Sequence, residues 1–293
     1  MSRRPFKART ADGPMMFPAL EMSFGEQQRI TTDPDAVRRL PPAVRLTVRA
    51  MAWRPLRSMM ARALDKQTPG LWGGMVARKR YTDDEVADAL AAGIGQFVIL
   101  GAGFDTRAFR LIAPAGATAF EVDLPENSVR KAKLLQRLFG RVPERVELVG
   151  MDLETDDLWK CLVAQGFTPE LPAMFVMEAV TQYLQADAVD RVFTALAKAC
   201  PSSRLAFTYI RSDFLAGTRL YGWDRAYKQW VVQDKVWRFG LSPAAVGDFL
   251  RRYGWAEREQ VGFEEYAARY FRPAGRHLAA IDIERFVAAE KID

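Results

Sequence analysis

From residue 81 onward, short runs of β-branched and aromatic residues alternate with stretches whose apolar side chains recur every three or four positions. The first pattern reads as strands and the second as amphipathic helices. Strands are predicted at 97–101, 118–123, 146–151, 173–178 and 204–210, with two weaker ones near 257–263 and 284–289. Helices are predicted near 83–92, 105–112, 126–139, 155–165, 186–199 and 242–253. Such alternation predicts βαβ units, hence an α/β fold with a seven-stranded, mostly parallel sheet covered by helices on both faces. Ligands of such sheets bind beyond the carboxyl ends of the strands, where the strand order reverses. Here that place is the turn after Gly101.

Two regions depart from the pattern. Residues 211–241 interrupt the alternation with Trp223, Trp230 and Trp237 beside Tyr221, Tyr227 and Phe239. This aromatic-rich insertion reads as a lid over a pocket, ahead of a satellite core under a long connection. Before residue 81 the pattern is helical without strands. In 43–64, AVRLTVRAMAWRPLRSMMARAL, Val44, Val48, Met51, Met59 and Met60 interleave with Arg45, Arg49, Arg57 and Arg62, with a break near Pro55. A helix packed on the body with its arginines in solvent is preferred to a membrane-surface or RNA-binding helix. The chain therefore divides into an N-terminal helical, Arg-rich cover, 1–80, and a body, 81–293, carrying the lid insertion at 211–241.

Composition narrows the function classes. The chain has 293 residues, 49% hydrophobic and 27% charged, which suits a folded core and excludes a disordered chain. No apolar run approaches the roughly 18 residues of a membrane-spanning helix, so no membrane insertion is expected. Cys161 and Cys200 make no disulfide framework, and the start MSRRPFKART lacks an apolar signal segment, so a cytoplasmic location is expected. His277 is the only histidine, which argues against Ser/His/Asp, Cys/His and most zinc chemistries, and no metal is expected. The net charge of +6 raises a polyanion partner, but it is uneven. Residues 1–80 hold 13 Arg and 3 Lys against 6 acids, while the rest carries 26 basic against 30 acidic groups. With a mildly acidic body and no recognised motif, no nucleic-acid partner is expected.

The chemistry gathers at strand ends. In LGAGFDTR, Gly101 and Gly103 allow a sharp turn and close approach to a ligand. The third glycine of a dinucleotide fingerprint is replaced by Thr106, and Asp105 caps the following helix, where its charge would repel a pyrophosphate. That capping role is compatible with contact to a ligand. In FEVDLP, Asp123, followed by Leu124, lies about 20 residues beyond the glycines, the spacing of an acid that holds a ribose diol. In GMDL, Asp152 can accept from an exocyclic amine while Leu153 packs an adenine face. A glycine turn followed by acids ending strands two and three indicates an adenosine site without a pyrophosphate cradle, which favours S-adenosylmethionine over NAD.

LGAGFDTRAFRL, FEVDLPE, VGMDL and FVMEAVTQYL together resemble the leucine carboxyl methyltransferase-like family, in particular its bacterial S-adenosylmethionine-dependent methyltransferases. ITTDPDAVRRLPP, ARKRYTDD, RYFRPAGR and IERFVAAEK extend the similarity over most of residues 25–290. The resemblance implies the Rossmann-like class I methyltransferase fold and S-adenosylmethionine as cofactor. It places Gly101 and Gly103 against the methionine portion, Asp123 on the ribose, and Asp152 with Leu153 on the adenine. Glu178 would contact the amino group with Tyr183 nearby, and Arg78 or Arg80 would neutralise the carboxylate. The chain departs from the family at Ala179–Gln182, where a glycine-leucine-leucine-type stretch is usual.

The reaction expected is O-methylation of a small-molecule or peptide substrate. A carboxylate is preferred because it is ionised at neutral pH and needs no general base. An arginine-rich cover would suit such an anionic substrate, with Tyr183, Tyr209 and Arg211 as positioning candidates. Hydroxyl- or nitrogen-directed methylation is the alternative. An NAD-dependent oxidoreductase and a non-catalytic binding module rank lower.

Overall fold

The computed structural model describes residues 16–40 and 42–292. The first 15 residues of the Arg-rich segment lie outside the described residues. Eight strands form one sheet: β1 (Gln96–Leu100), β2 (Thr118–Asp123), β3 (Val146–Gly150), β4 (Ala173–Met177), β5 (Arg204–Arg211), β6 (Gly240–Leu241), β7 (Trp255–Val261) and β8 (Glu284–Lys291). Their order is β3-β2-β1-β4-β5-β8-β7, with the two-residue β6 beside β5. Every pairing is parallel except those of β8 with β5 and β7. Consecutive connections leave β1 in opposite directions, towards β2 and towards β4, so the order reverses at the end of β1 as expected.

Central strands read as unbroken apolar runs because both faces are covered. In β1, Phe97 and Ile99 join one core and Val98 and Leu100 the other, following the period of two. The first core also contains Phe17, Leu20, Trp72, Val76 and Tyr81, so the N-terminal helices are one covering layer of the sheet. The 80/81 division falls inside a single helix, Leu71–Ala91. Gly73 and Gly74 disguise its first turns in the sequence. A Cβ on Gly73 would stand 2.0 Å from the Ala279 carbonyl oxygen, so the glycine lets residues 279–281 pass against the helix.

The N-terminal layer is fastened to the far end of the chain. The fully buried Glu21 accepts from Trp72 Nε1 (2.9 Å), the Ile30 amide (2.9 Å) and Arg276 Nη1 (2.7 Å). Arg57 and Arg276 each lie 3.9 Å from the Phe24 ring centroid.

The 211–241 insertion builds its own small core. Phe214 and Trp223 are buried, Trp223 Nε1 donates to the Pro69 carbonyl (2.9 Å), and Trp230 lies 6.0 Å from Trp223 and 4.8 Å from Trp237. The insertion's end meets the β4 exit, where the Arg238 amide donates to the Gln182 carbonyl (2.7 Å). No helix among the described residues is long and apolar enough to cross a membrane.

Candidate active site

The carboxyl ends of β1, β2, β3 and β4 surround a cavity of about 200 Å³. After β1 the backbone enters the left-handed region at Gly101 (φ 64°) and Gly103 (φ 47°). A Cβ on Gly101 would stand 2.4 Å from Val180 Cγ2, so the turn closes against the segment leaving β4 only with glycine there. Across the turn, Asp123 accepts from the Gly103 amide (2.5 Å) and, through its other oxygen, from the Leu124 amide (2.7 Å) and Asn127 Nδ2 (2.8 Å). Asp152 accepts from the Glu154 amide (2.9 Å), which fixes the β3 exit.

On the opposite wall Glu178 is surrounded by cations. It accepts from Arg78 Nε (2.9 Å), Lys79 Nζ (3.3 Å) and Thr82 Oγ1 (3.0 Å), and Arg107 Nη1 lies 2.9 Å away. Burial alone would push its carboxyl up. Lys79, Arg107 and Arg78 outweigh that and hold it well below the usual carboxylate range. Arg107, only 1% exposed, also binds Asp83 (2.6 Å), Asp105 and the Lys79 carbonyl (2.9 Å). Asp105 is likewise lowered, burial being overcome by Arg107 and then Lys79. Next to Glu178, Ala179 is held at φ 58°, unusual for a residue with a Cβ. Thr208 pins this turn: its Oγ1 accepts from the Ala179 amide and its carbonyl from Thr181 Oγ1, both at 2.7 Å.

Of the residues selected from sequence, Arg78, Gly101, Gly103, Asp105, Asp123, Leu124, Asp152, Leu153, Glu178 and Tyr183 all line this cavity. Arg80, Tyr209 and Arg211 do not. Two positions on a helix differ by about 200°, so Arg78 faces the sheet while Arg80 points outward to Asp84 (2.7 Å) and the Tyr270 ring. Tyr209 points into the core on the other face of the sheet and donates to Gln260 Oε1 (2.8 Å). Arg211 is taken up by Asp213 (2.9 Å) and Asp282 (3.1 Å). No residue of 211–241 lines the cavity, and Phe214, Trp223, Trp230 and Trp237 pack into a small core of their own.

The N-terminal layer contributes Pro18, Thr31, Asp33 and Arg39 to the wall. Arg39 pairs with Asp33 and donates to the Phe104 carbonyl (2.8 Å). Of the other arginines described in the expected cover, Arg57 is buried within the N-terminal layer and Arg49, Arg54 and Arg62 are exposed, and none of these four lines the cavity. Lys79, Arg107, Arg110 and Asn127 also line the cavity, although the sequence did not single them out. Arg107 stands in the quoted LGAGFDTR, two residues after Asp105, which was its one available signal.

Behind the glycine turn, Glu121 on β2 and Lys131 form a buried ion pair, and Glu121 Oε2 has no partner among the described residues. Burial pushes the Glu121 carboxyl up from 4.5 to about 7 despite Lys131. Its contribution to stability is full below its unfolded value and lost as pH rises through about 7. Thermal melts from pH 5 to 8 are expected to show a flatter pH dependence in Glu121→Gln than in the parent chain; equal slopes would refute the assignment.

A family model described as leucine carboxyl methyltransferase matches residues 13–197, which include the glycine turn, Asp123, Asp152 and Glu178. The chain belongs to the leucine carboxyl methyltransferase family. Among relatives of this methyltransferase family member, a "Putative S-adenosyl-L-methionine-dependent methyltransferase" of Mycobacterium bovis is 40% identical over 216 residues, covering 70% of this chain and 69% of that one. One of Mycobacterium avium is 39% identical over 219 residues, covering 71% and 70%. Among solved structures, a "putative methyltransferase" from Thermobifida fusca aligns over 97% of this chain and 98% of its own, with a TM-score of 0.57 at 18% identity. A DUF574-family protein from Streptomyces avermitilis covers 95% and 96% with a TM-score of 0.54, also at 18% identity. At that identity the likeness concerns the fold, which is the Rossmann-like class I methyltransferase fold.

Proposed function

We propose that this S-adenosylmethionine-dependent methyltransferase acts on a carboxylate of a small molecule or peptide and forms a methyl ester. Family membership carries the reaction class and the cofactor. The cavity fits that cofactor: carboxylates stand at the β2 and β3 ends beside the glycine turn that ends β1. Asp123 is assigned to the ribose hydroxyls, Asp152 and Leu153 to the adenine, and Arg78 to the methionine carboxylate. Arg78 has one nitrogen to offer, since Nε and Nη1 are engaged by Glu178 and Glu284 (2.6 Å) while Nη2 makes no hydrogen bond among the described residues.

When bound, S-adenosylmethionine supplies a methyl group already activated on sulfur and one net positive charge. The chain's task is then alignment of the acceptor and exclusion of water. What carries the carboxylate reading is that each acid of the wall is already engaged by a cation or by a turn amide, Asp152 among them through the Glu154 amide. No histidine lines the cavity among the described residues, and Glu178 and Asp105 are held too acidic to take a proton from an alcohol. Asp33 is paired with Arg39, and both oxygens of Asp123 already accept hydrogen bonds. An oxygen nucleophile that arrives already ionised, as a carboxylate does at neutral pH, needs no such base. The wall's own cations all face acids, so the attraction for an anionic acceptor comes from the bound cofactor, with Tyr183 of the wall to orient it.

Matched acids and alcohols incubated with methyl-labelled S-adenosylmethionine are expected to give label only in products that release methanol under mild base. Label retained on the alcohols, with none on the acids, would overturn the reading.

A further inference from the structure

The N-terminal layer carries a second surface that the cavity does not use. From 36 to 64 the chain has no acid but seven arginines. Arg39 and Arg57 are buried and Arg38 pairs with Asp35, whereas Arg45, Arg49, Arg54 and Arg62 pair with no acid among the described residues. The helices Pro42–Ala50 and Arg54–Gln67 present these cations with Trp53 at their junction. Their inward side is already satisfied, since Val48 and Met51 are buried and Ala61 and Leu64 pack against the core. On the outside, Leu46 is 69% exposed, Trp53 67%, Met59 57% and Met60 37%. Four large apolar side chains exposed within fifteen consecutive residues, among arginines that no described acid pairs, suit an interaction surface.

The composition of the face identifies its partner. A polynucleotide would meet the arginines and leave Leu46, Met59 and Met60 in water. A second copy of the same face would bring unneutralised arginines together. An anionic bilayer satisfies both halves: headgroup phosphates take the guanidinium groups, and the indole and methionines enter the boundary between headgroups and acyl chains. We propose that the face formed by Leu46, Arg49, Trp53, Arg54, Met59 and Arg62 docks on an anionic phospholipid surface without spanning it. The helix Ala36–Arg39 directly precedes this face and carries Arg39 into the cavity wall, so docking would hold one side of the cavity next to the lipid. This inference is independent of the acceptor atom proposed above.

The test is flotation of the full chain with vesicles of phosphatidylcholine alone or mixed with phosphatidylglycerol. Binding is expected on the mixed vesicles, little on the neutral ones, with affinity falling as salt rises. Each arginine near such a surface is worth about 5-fold, the equivalent of about 1 kcal/mol. The combined Arg49→Glu, Arg54→Glu, Arg62→Glu variant is thus expected to bind at least roughly 100-fold more weakly. Trp53→Ser should weaken binding several-fold and abolish quenching by brominated lipid acyl chains, with thermal melting unchanged in both variants. Failure to float with mixed vesicles, equal binding to neutral ones, or an unaffected triple variant would overturn the proposal. So would RNA binding, or a dimer broken by Trp53→Ser, in a chain that ignores vesicles.

Discussion

Replacing Arg107 with methionine is expected to cost about 3–5 kcal/mol of folding stability, the range for removing one partner of a buried ion pair. The guanidinium lies in the cavity wall, where it faces Asp83, Asp105 and Glu178 and donates to the Lys79 carbonyl. Methionine fills much of the same space but leaves carboxylates buried without compensation. Arg107→Lys should recover only part of the loss, because one ammonium cannot reproduce a planar fork serving several acceptors. The pH dependence adds a second readout. Asp105 and Glu178 have folded values below their ordinary ones, so their contribution is present above an unfolded pKa of about 4 and lost as pH falls further. Denaturant unfolding at pH 7 and pH 4 is expected to show a large difference between parent and variant at pH 7 that narrows at pH 4. A loss below about 1 kcal/mol at pH 7, the size of an exposed pair, would refute the burial argument.

This cluster also shows where sequence reasoning stops. The strands were legible because covered strands must be apolar on both sides, and the ends of β1 to β5 fall within a residue or so of the expected positions. Gly101, Asp123 and Asp152 were legible because strand ends and spacing place them. Arg107 was not, because a buried arginine and a solvent-facing one look alike near the start of a helix. The choice between Arg78 and Arg80 needed the orientation of Leu71–Ala91, whose first turns were hidden by two glycines that serve contact with residues 279–281. Tyr209 illustrates the same limit in a strand: its neighbour Thr208 turns towards the site and pins Ala179, and the period of two then sends Tyr209 to the opposite core. For residues 211–241 composition is silent, because an aromatic-rich insertion has the same residues whether it covers a pocket or fills its own core.

Asp123→Asn is expected to weaken cofactor binding by roughly two orders of magnitude while leaving the fold nearly intact. A carboxylate bonded to two hydroxyls contributes about 1.5–3 kcal/mol per charged hydrogen bond, so losing most of that for two bonds gives this scale. The complication is that Asp123 also organises the turn by accepting from Gly103, Leu124 and Asn127. Asparagine keeps one carbonyl oxygen for the turn and loses the charge and the second acceptor, whereas Asp123→Ala loses both functions. Asn127→Ala removes a donor to Asp123 without touching the carboxylate, and separates the two roles. If ribose recognition is the larger role, titration calorimetry with S-adenosylhomocysteine will rank the affinities parent, Asn127→Ala, Asp123→Asn, Asp123→Ala, with melting temperatures similar for the first three. If the turn is the larger role, Asn127→Ala will lose affinity as severely as Asp123→Asn and melt earlier. Unchanged affinity in Asp123→Asn would remove the ribose assignment, and with it the reason for placing the nucleoside between the ends of β1 and β2.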